Sequence, residues 1–296
     1  MSRLMRRTKL YMDTVVDIQV IPGNSEQEAE ARIRRAFDAF RKVEDTCSRF
    51  SPDSELMAAC RQIMTPVPVS PLLFELLCFA LQFAEWTGGI FDPAVGKVME
   101  EYGFNRHYLT GQSIQSPAAD HTSYRDILLN EQDRTVYLCK PLVIDLGAIA
   151  KGFAIDLAAK ELEPFDGFIV NAGGDLYAGG HNDRGEPWEI GIQHPTEPER
   201  ILYKLSLSNE AVCTSGSYER KSATNPEIHH LIHPTSKYSP NTWVSCSVVA
   251  PFAMLADAAS TASFVYGPEA QTFIENMELK GVLVTPDLQI VTVGGI

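Results

Sequence analysis

Between Cys246 and Gly267 the chain runs 22 residues with one charged side chain, Asp257. The nearest basic residues are Lys237 and Lys280. About 20 apolar residues can cross a bilayer, so a membrane span is the first reading to test. It fails on composition: Ser247, Pro251, Ser260, Thr261 and Ser263 dilute the run, and no basic flank anchors it. What remains is a buried strand followed by a buried helix. A carboxylate carried into such a place is costly unless it is partnered or protonated. Thr261, four residues after Asp257, shares its helical face. Two readings stay open on this spacing. The pair offers hard oxygens to a cation such as Mg²⁺, which takes one or two protein ligands and fills its shell with waters and phosphates. Alternatively, Asp257 caps a neighbouring backbone and Thr261 bonds back to its own helix. The local absence of Lys and Arg favours the cation.

The rest of the chain narrows the class. With 296 residues, 45% of them apolar, it can bury one large core or two modest ones. Its 25 basic and 38 acidic side chains give a net charge of −13, a field that repels nucleic acids and anionic membranes. The cysteines at 47, 60, 78, 139, 213 and 246 form no CxxC pair and read as separate thiols in a reducing compartment. Arg3, Arg6, Arg7 and Lys9 are followed by Tyr11-Met12-Asp13-Thr14 rather than by a signal-peptide core. The sequence as it stands is thus expected in the cytoplasm, or in the periplasm or on a membrane anchor if a leader has been removed.

Periodicity supplies the elements. Leu10–Val20 reads as a strand, ended by Pro22-Gly23-Asn24. Ser25 and Glu28 form a capping-box signature before a helix burying Ala29, Ile33, Phe37, Phe40 and Val43. A second helix starts at Ser70-Pro71 and runs to Trp86, ahead of Gly88-Gly89. Residues 103–133 read as an irregular surface excursion. Strands are expected at 134–139, 167–171, 188–193, 201–207, 245–250, 280–284 and 289–293, with helices at 147–162 and about 251–266. Without regular βα alternation this is an α+β chain with mixed or antiparallel sheets and packed helices. A single domain over 1–296 is expected, with two intertwined lobes as its alternative form.

Other signals are weaker. Thr87–Pro93 and Asn171–Asp175 are glycine turns, each equally compatible with a plain helix stop or hairpin. Ile144–Gly152 joins a strand to a helix with small residues that would let amides approach an anion, and Lys151 would add positive charge. It is neither a Walker loop nor a dinucleotide fingerprint. The segment Thr214–Arg220 lacks the GxSxG of a nucleophile elbow. His229, His230 and His233 cluster without partners at zinc-ligand spacing; one of them could serve as a general base.

In order, YMDTVVDI, FSPDSEL, TGGIFDPAVGKV, IDLGAIAKGFAID, NAGGDLYAGG, the Trp188 block ending IGIQHP, AVCTSGSYER, HHLIHP and SVVAPFAMLADAASTASFVYGPE span Met12 to about Pro268. This ordered set resembles the ApbE family of FAD:protein FMN transferases. The resemblance implies an ApbE-like (T-fold-like) architecture and transfer of FMN from FAD to a Ser or Thr hydroxyl of a target flavoprotein. The product would be a phosphoester, with AMP leaving and Mg²⁺ required. Matched by position, Asp257 and Thr261 are the metal-binding side chains, with Ala148 and Ser260 ligating through the backbone or lying beside the ion. Met12, Ile90, Phe91, Asp92, Asp145 and Lys151 match FAD-contacting positions, Phe91 as an apolar wall for the flavin. His230 matches the histidine of S-H-I-I-D-P; it is the candidate base and is also expected to bind FAD, with Asp257 the second catalytic residue. Three positions depart from the family pattern: Asp13 stands where M-G-T has Gly, Ser217 replaces the Asp of T-S-G-D-Y-E-R, and His233 replaces the Asp of H-I-I-D-P. An FAD pyrophosphatase giving FMN and AMP, or an FAD-binding protein without chemistry, are the rival readings.

Overall fold

A computed structural model describes residues 4–23, 25–106, 111, 113–222 and 225–296. The chain opens with a hairpin, β1 (Met5–Tyr11) and β2 (Thr14–Val20), then α1 (Glu26–Cys47). There follow α2 (Glu55–Cys60), β3 (Val67–Pro68), α3 (Pro71–Trp86), α4 (Gly96–Glu101), β4 (Ile127–Asn130) and β5 (Thr135–Leu138). After α5 (Ala150–Leu162) come five strands, β6 (Gly167–Ala172), β7 (Asp175–Gly180), β8 (Trp188–Gln193), β9 (Ile201–Leu207) and β10 (Glu210–Gly216). The chain closes with β11 (Ser245–Ala250), α6 (Ala253–Tyr266), α7 (Ala270–Asn276), β12 (Lys280–Val284) and β13 (Ile290–Val293). The α+β class is as expected.

Contacts divide the chain into two compact bodies, one of residues 1–42, 151–218 and 241–296, the other of 43–150 and 219–240. The first is built on an eight-stranded sheet in the order β1-β2-β6-β7-β10-β11-β12-β13, with every neighbouring pair antiparallel. Helix α6 lies on β10 and β11. The β8–β9 ribbon belongs to a second apolar layer in which Trp188, Ile190, Ile192, Leu205 and Leu207 pack with Ile169, Leu176, Val212, Val249 and Val282. Every residue of β11 is buried, as the uncharged run required. The second body packs α2, α3 and α4 with a small sheet ordered β3-β5-β4. Ser70 Oγ accepts from Leu73 N at 3.3 Å and Pro71 fills the first turn of α3, so this helix starts where its sequence signals it.

Several expectations are corrected. Leu10–Val20 is not one strand: the chain reverses at Met12 and Asp13, whose φ angles of 52° and 58° make a two-residue hairpin turn. The 103–133 stretch contains a strand, β4, behind a short 3₁₀ turn at Tyr124–Asp126. Helix α5 begins at Ala150 rather than 147, and α6 at Ala253 rather than about 251. Strands β7 (DLYAGG) and β10 (EAVCTSG) went unread because glycines, hydroxyls and an acidic first residue break both alternation and a continuous apolar run. Helices α2 and α4, with 6 residues each, are too short to show a period. Among the described residues no helix is long and apolar enough to cross a membrane, and all six cysteines are free thiols.

Candidate functional site

In the first body, α5 and α6 are stitched together in both directions. Asp156 of α5 accepts the first two amides of α6, Ala253 N at 2.6 Å and Met254 N at 2.8 Å. Asp257 of α6 returns the contact, its Oδ2 accepting Gly152 N at 3.1 Å. The two helices approach so closely that a Cβ on Gly152 would stand 2.4 Å from the Ala253 carbonyl oxygen. Burial raises the pKa of Asp257, opposed by Lys151 and by the Gly152 amide. Burial also lifts Asp156, to about 6.

Lys151 does not stand as an open cation. Its Nζ is held by Asp175 Oδ2, and Asp175 Oδ1 accepts Thr214 N at 2.8 Å. Thr261 Oγ1 lies 3.1 Å from Ser215 Oγ, which is also 2.9 Å from Ser260 Oγ. Ser260 is fully buried and donates to the Asp257 carbonyl at 2.9 Å. Asp257 and Thr261 stand one turn apart on α6, the carboxylate bonded to α5 and the Thr261 hydroxyl, like that of Ser260, to Ser215 of β10. The donor set fits a hard cation: one buried carboxylate with a single amide partner, beside a hydroxyl oxygen. Among the described residues no three His, Cys, Asp or Glu side chains gather as they do around zinc. Met12 sits in the β1–β2 turn of this same body.

The second body carries the remaining candidates. Thr87 Oγ1 accepts Phe91 N at 3.1 Å after donating to the end of α3, which folds the Gly88-Gly89 turn back on the helix. The Phe91 ring is 5% exposed and meets Phe83 edge-on at 5.2 Å between centroids, so it is spent on the core instead of standing as an open wall. Ile90 is half-buried beside it. Asp92 Oδ1 accepts Ala94 N at 2.8 Å, and burial raises its pKa to about 6. Asp145 accepts Gly147 N at 2.7 Å and Arg49 Nε at 2.6 Å, a pair whose side chains are 14% and 5% exposed. Ala148 follows at the entry to α5.

The histidines separate cleanly. His229 is buried, donates Nε2–H to Pro240 O at 2.9 Å and accepts Leu231 N at Nδ1. Burial lowers its pKa. His230 is half-buried; its Nδ1 lies 3.3 Å from the Arg220 carbonyl, which can only accept, so Nδ1 carries a proton. His233 Nδ1 accepts Thr235 N and Ser236 N at 3.2 and 3.4 Å, the turn-capping bonds an Asp would make there. Ser217 N donates to Val244 O at 3.0 Å. Arg49, Asp156, Asp175 and Ser215 were missed by sequence reasoning, although the last three lie inside quoted motifs.

These features define an α+β protein built on an antiparallel sheet. The chain belongs to the ApbE family, whose profile matches residues 12–283. The FAD:protein FMN transferase of Escherichia coli K12 is 30% identical over 268 residues, covering 84% of this chain and 75% of that one. That of Treponema pallidum strain Nichols is 31% identical over 285 residues, covering 89% and 79%. The crystal structure of the ApbE protein from Thermotoga maritima superposes with a TM-score of 0.87 at 28% identity, covering 98% of this chain and 97% of that one. The flavin transferase ApbE from Vibrio cholerae, at 23% identity and a TM-score of 0.83, covers 98% and 97% and shares the fold.

Proposed function

We propose that this chain is an FAD:protein FMN transferase, requiring Mg²⁺ and acting as one functional domain over 1–296. The observation that carries the reading is Asp257. It is a carboxylate 5% exposed, kept on a nearly uncharged helix with one amide partner, one turn from a hydroxyl oxygen. Such a group is costly unless it is partnered or protonated; burial raises its pKa against the pull of Lys151, and a divalent cation would keep it ionised. The names of the Escherichia coli and Treponema pallidum relatives supply the substrate and the acceptor class.

Asp257 and Thr261 would hold the ion through side-chain oxygens, with Ser260 beside them on the same helix. When bound, Mg²⁺ supplies positive charge that offsets the negative charge gathering on the pyrophosphate as it opens. The positions assigned to FAD are Met12 and Lys151 in the first body and Ile90, Asp92 and Asp145 in the second; the Phe91 ring is packed on Phe83, and the side chains of Asp145 and Lys151 already hold protein partners. The oxygen of an acceptor Ser or Thr bonds to the flavin-side phosphorus, the bridge to the second phosphorus breaks, and AMP leaves. His230 is the base assigned to take the hydroxyl proton, its ring fixed by the Nδ1 bond to the Arg220 carbonyl.

The test is incubation with FAD and Mg²⁺, with and without a flavoprotein that carries an acceptor Ser or Thr. Covalent flavin on the acceptor is expected. Free FMN with no labelled acceptor would make the protein a pyrophosphatase, and intact FAD would make it a carrier. Asp257→Ala should abolish turnover at limiting Mg²⁺; full activity there overturns the ion assignment.

A further inference from the structure

Three hydroxyls beside the proposed ion site have a proton order that the geometry fixes. Ser260 Oγ lies 2.9 Å from the Asp257 carbonyl, which can only accept, so Ser260 donates its one proton there. Ser260 therefore meets Ser215, 2.9 Å away, as an acceptor, and the Ser215 proton is committed to it. Ser215 is left with lone pairs toward Thr261, 3.1 Å away, so the Thr261 proton turns back to Ser215. The order runs from Thr261 to Ser215 to Ser260 to the main chain. Ser260 is fully buried and Ser215 is 7% exposed, which leaves little room for water to rearrange it.

We propose that Ser215 of β10 is a positioning residue that makes Thr261 an acceptor-only hydroxyl. With its proton held by Ser215, the Thr261 oxygen presents lone pairs alone. That suits a divalent cation and removes Thr261 as a donor to a phosphate oxygen. A hydroxyl bound to a cation must turn its proton away, and an acceptor already in place removes the search for that rotamer. Without Ser215 the hydroxyl is free to bond to the Asp257 carbonyl one turn back, as helical Thr commonly does. This inference rests on the cation reading of Asp257 and Thr261.

The test is titration of the full chain with Mn²⁺, with and without FAD, reading free ion by electron paramagnetic resonance. Ser215→Ala should weaken Mn²⁺ about tenfold or more, the usual scale for an outer-shell partner of a metal ligand. Thr261→Val should weaken it too, and the double variant should bind no worse than Thr261→Val. Ser215→Cys, close in size but a poor acceptor, should reproduce the loss if Ser215→Ala folds badly. If Ser215→Ala and Ser215→Cys bind as the parent while Thr261→Val is weakened, the Ser215 role falls and the cation reading stands. Equal Ser215→Ala losses in the parent and Thr261→Val backgrounds also overturn it. If Thr261→Val and Asp257→Ala both leave Mn²⁺ binding unchanged, the cation reading falls and takes the Ser215 role with it.

Discussion

Adjacent histidines can be opposite instruments. His229 and His230 differ in which nitrogen faces a carbonyl, and that difference makes one a strut and the other a candidate base. His229 also sets a pH dependence. Its folded pKa lies below the ordinary 6.5 because burial disfavours the cation. Below about pH 6.5 the unfolded chain binds the proton more readily, so stability falls as pH drops through that range and recovers above it. Asp92 and Asp156, raised by burial to about 6, act in the opposite sense over the same range, so the His229 share is read as a difference: between pH 7 and 5.5 the urea midpoint of the parent should fall relative to that of His229→Gln. Asp13 is a second residue-scale case. At φ 58° it occupies a region natural to glycine, the residue the family pattern carries there. Asp13→Gly should raise stability by up to about 1 kcal/mol in urea unfolding, the scale of a strained turn residue partly offset by glycine's entropy. His233 departs from the pattern yet does the same capping work, so it needs no functional explanation.

At the scale of elements, the α5–α6 stitch matters most. Gly152 lets the helices touch, Asp156 caps α6, and Asp257 returns a bond to α5. Gly152→Ala should cost about 2–3 kcal/mol, because the clashing atom is main-chain oxygen and cannot rotate away. Chemical denaturation measures it, and a change near zero would mean the helices separate freely. This level also marks what the sequence could tell. The Asp257–Thr261 pair was legible because both residues lie on one helix in a segment almost free of charge. Their neighbours were not: Asp156 and Ala253 are 97 positions apart, and Ser215 and Thr261 are 46. Arg49 on Asp145 and Asp175 on Lys151 are likewise set by tertiary packing, which no periodicity encodes. Long helices, caps and continuous apolar strands such as β6, β11 and β12 were readable, while short helices and the strands β7 and β10, whose residues mix small, polar and apolar types, were not.

At the scale of the whole molecule, neither body is one continuous stretch of chain. Residues 219–240 return to complete the second body, where Ser222 Oγ donates to Tyr102 O at 2.6 Å and His230 packs edge-on near Phe104. The fragment 43–150 expressed by itself should therefore lack a native fold. Poorly dispersed amide resonances are the expected result, and a well-dispersed spectrum would refute it.

The outermost strand of the large sheet has a consequence of its own. β1 exposes Arg6, Arg7 and Lys9 along its length, with Arg6 tied to Asp17 and Arg7 to Glu30. Behind it, β2 carries Val16, Ile18 and Val20 with no exposure at all. Shedding the residues through Tyr11 would bare a β-branched template on which neighbouring copies could add strands. The charged fringe is thus a guard rail against fibre growth.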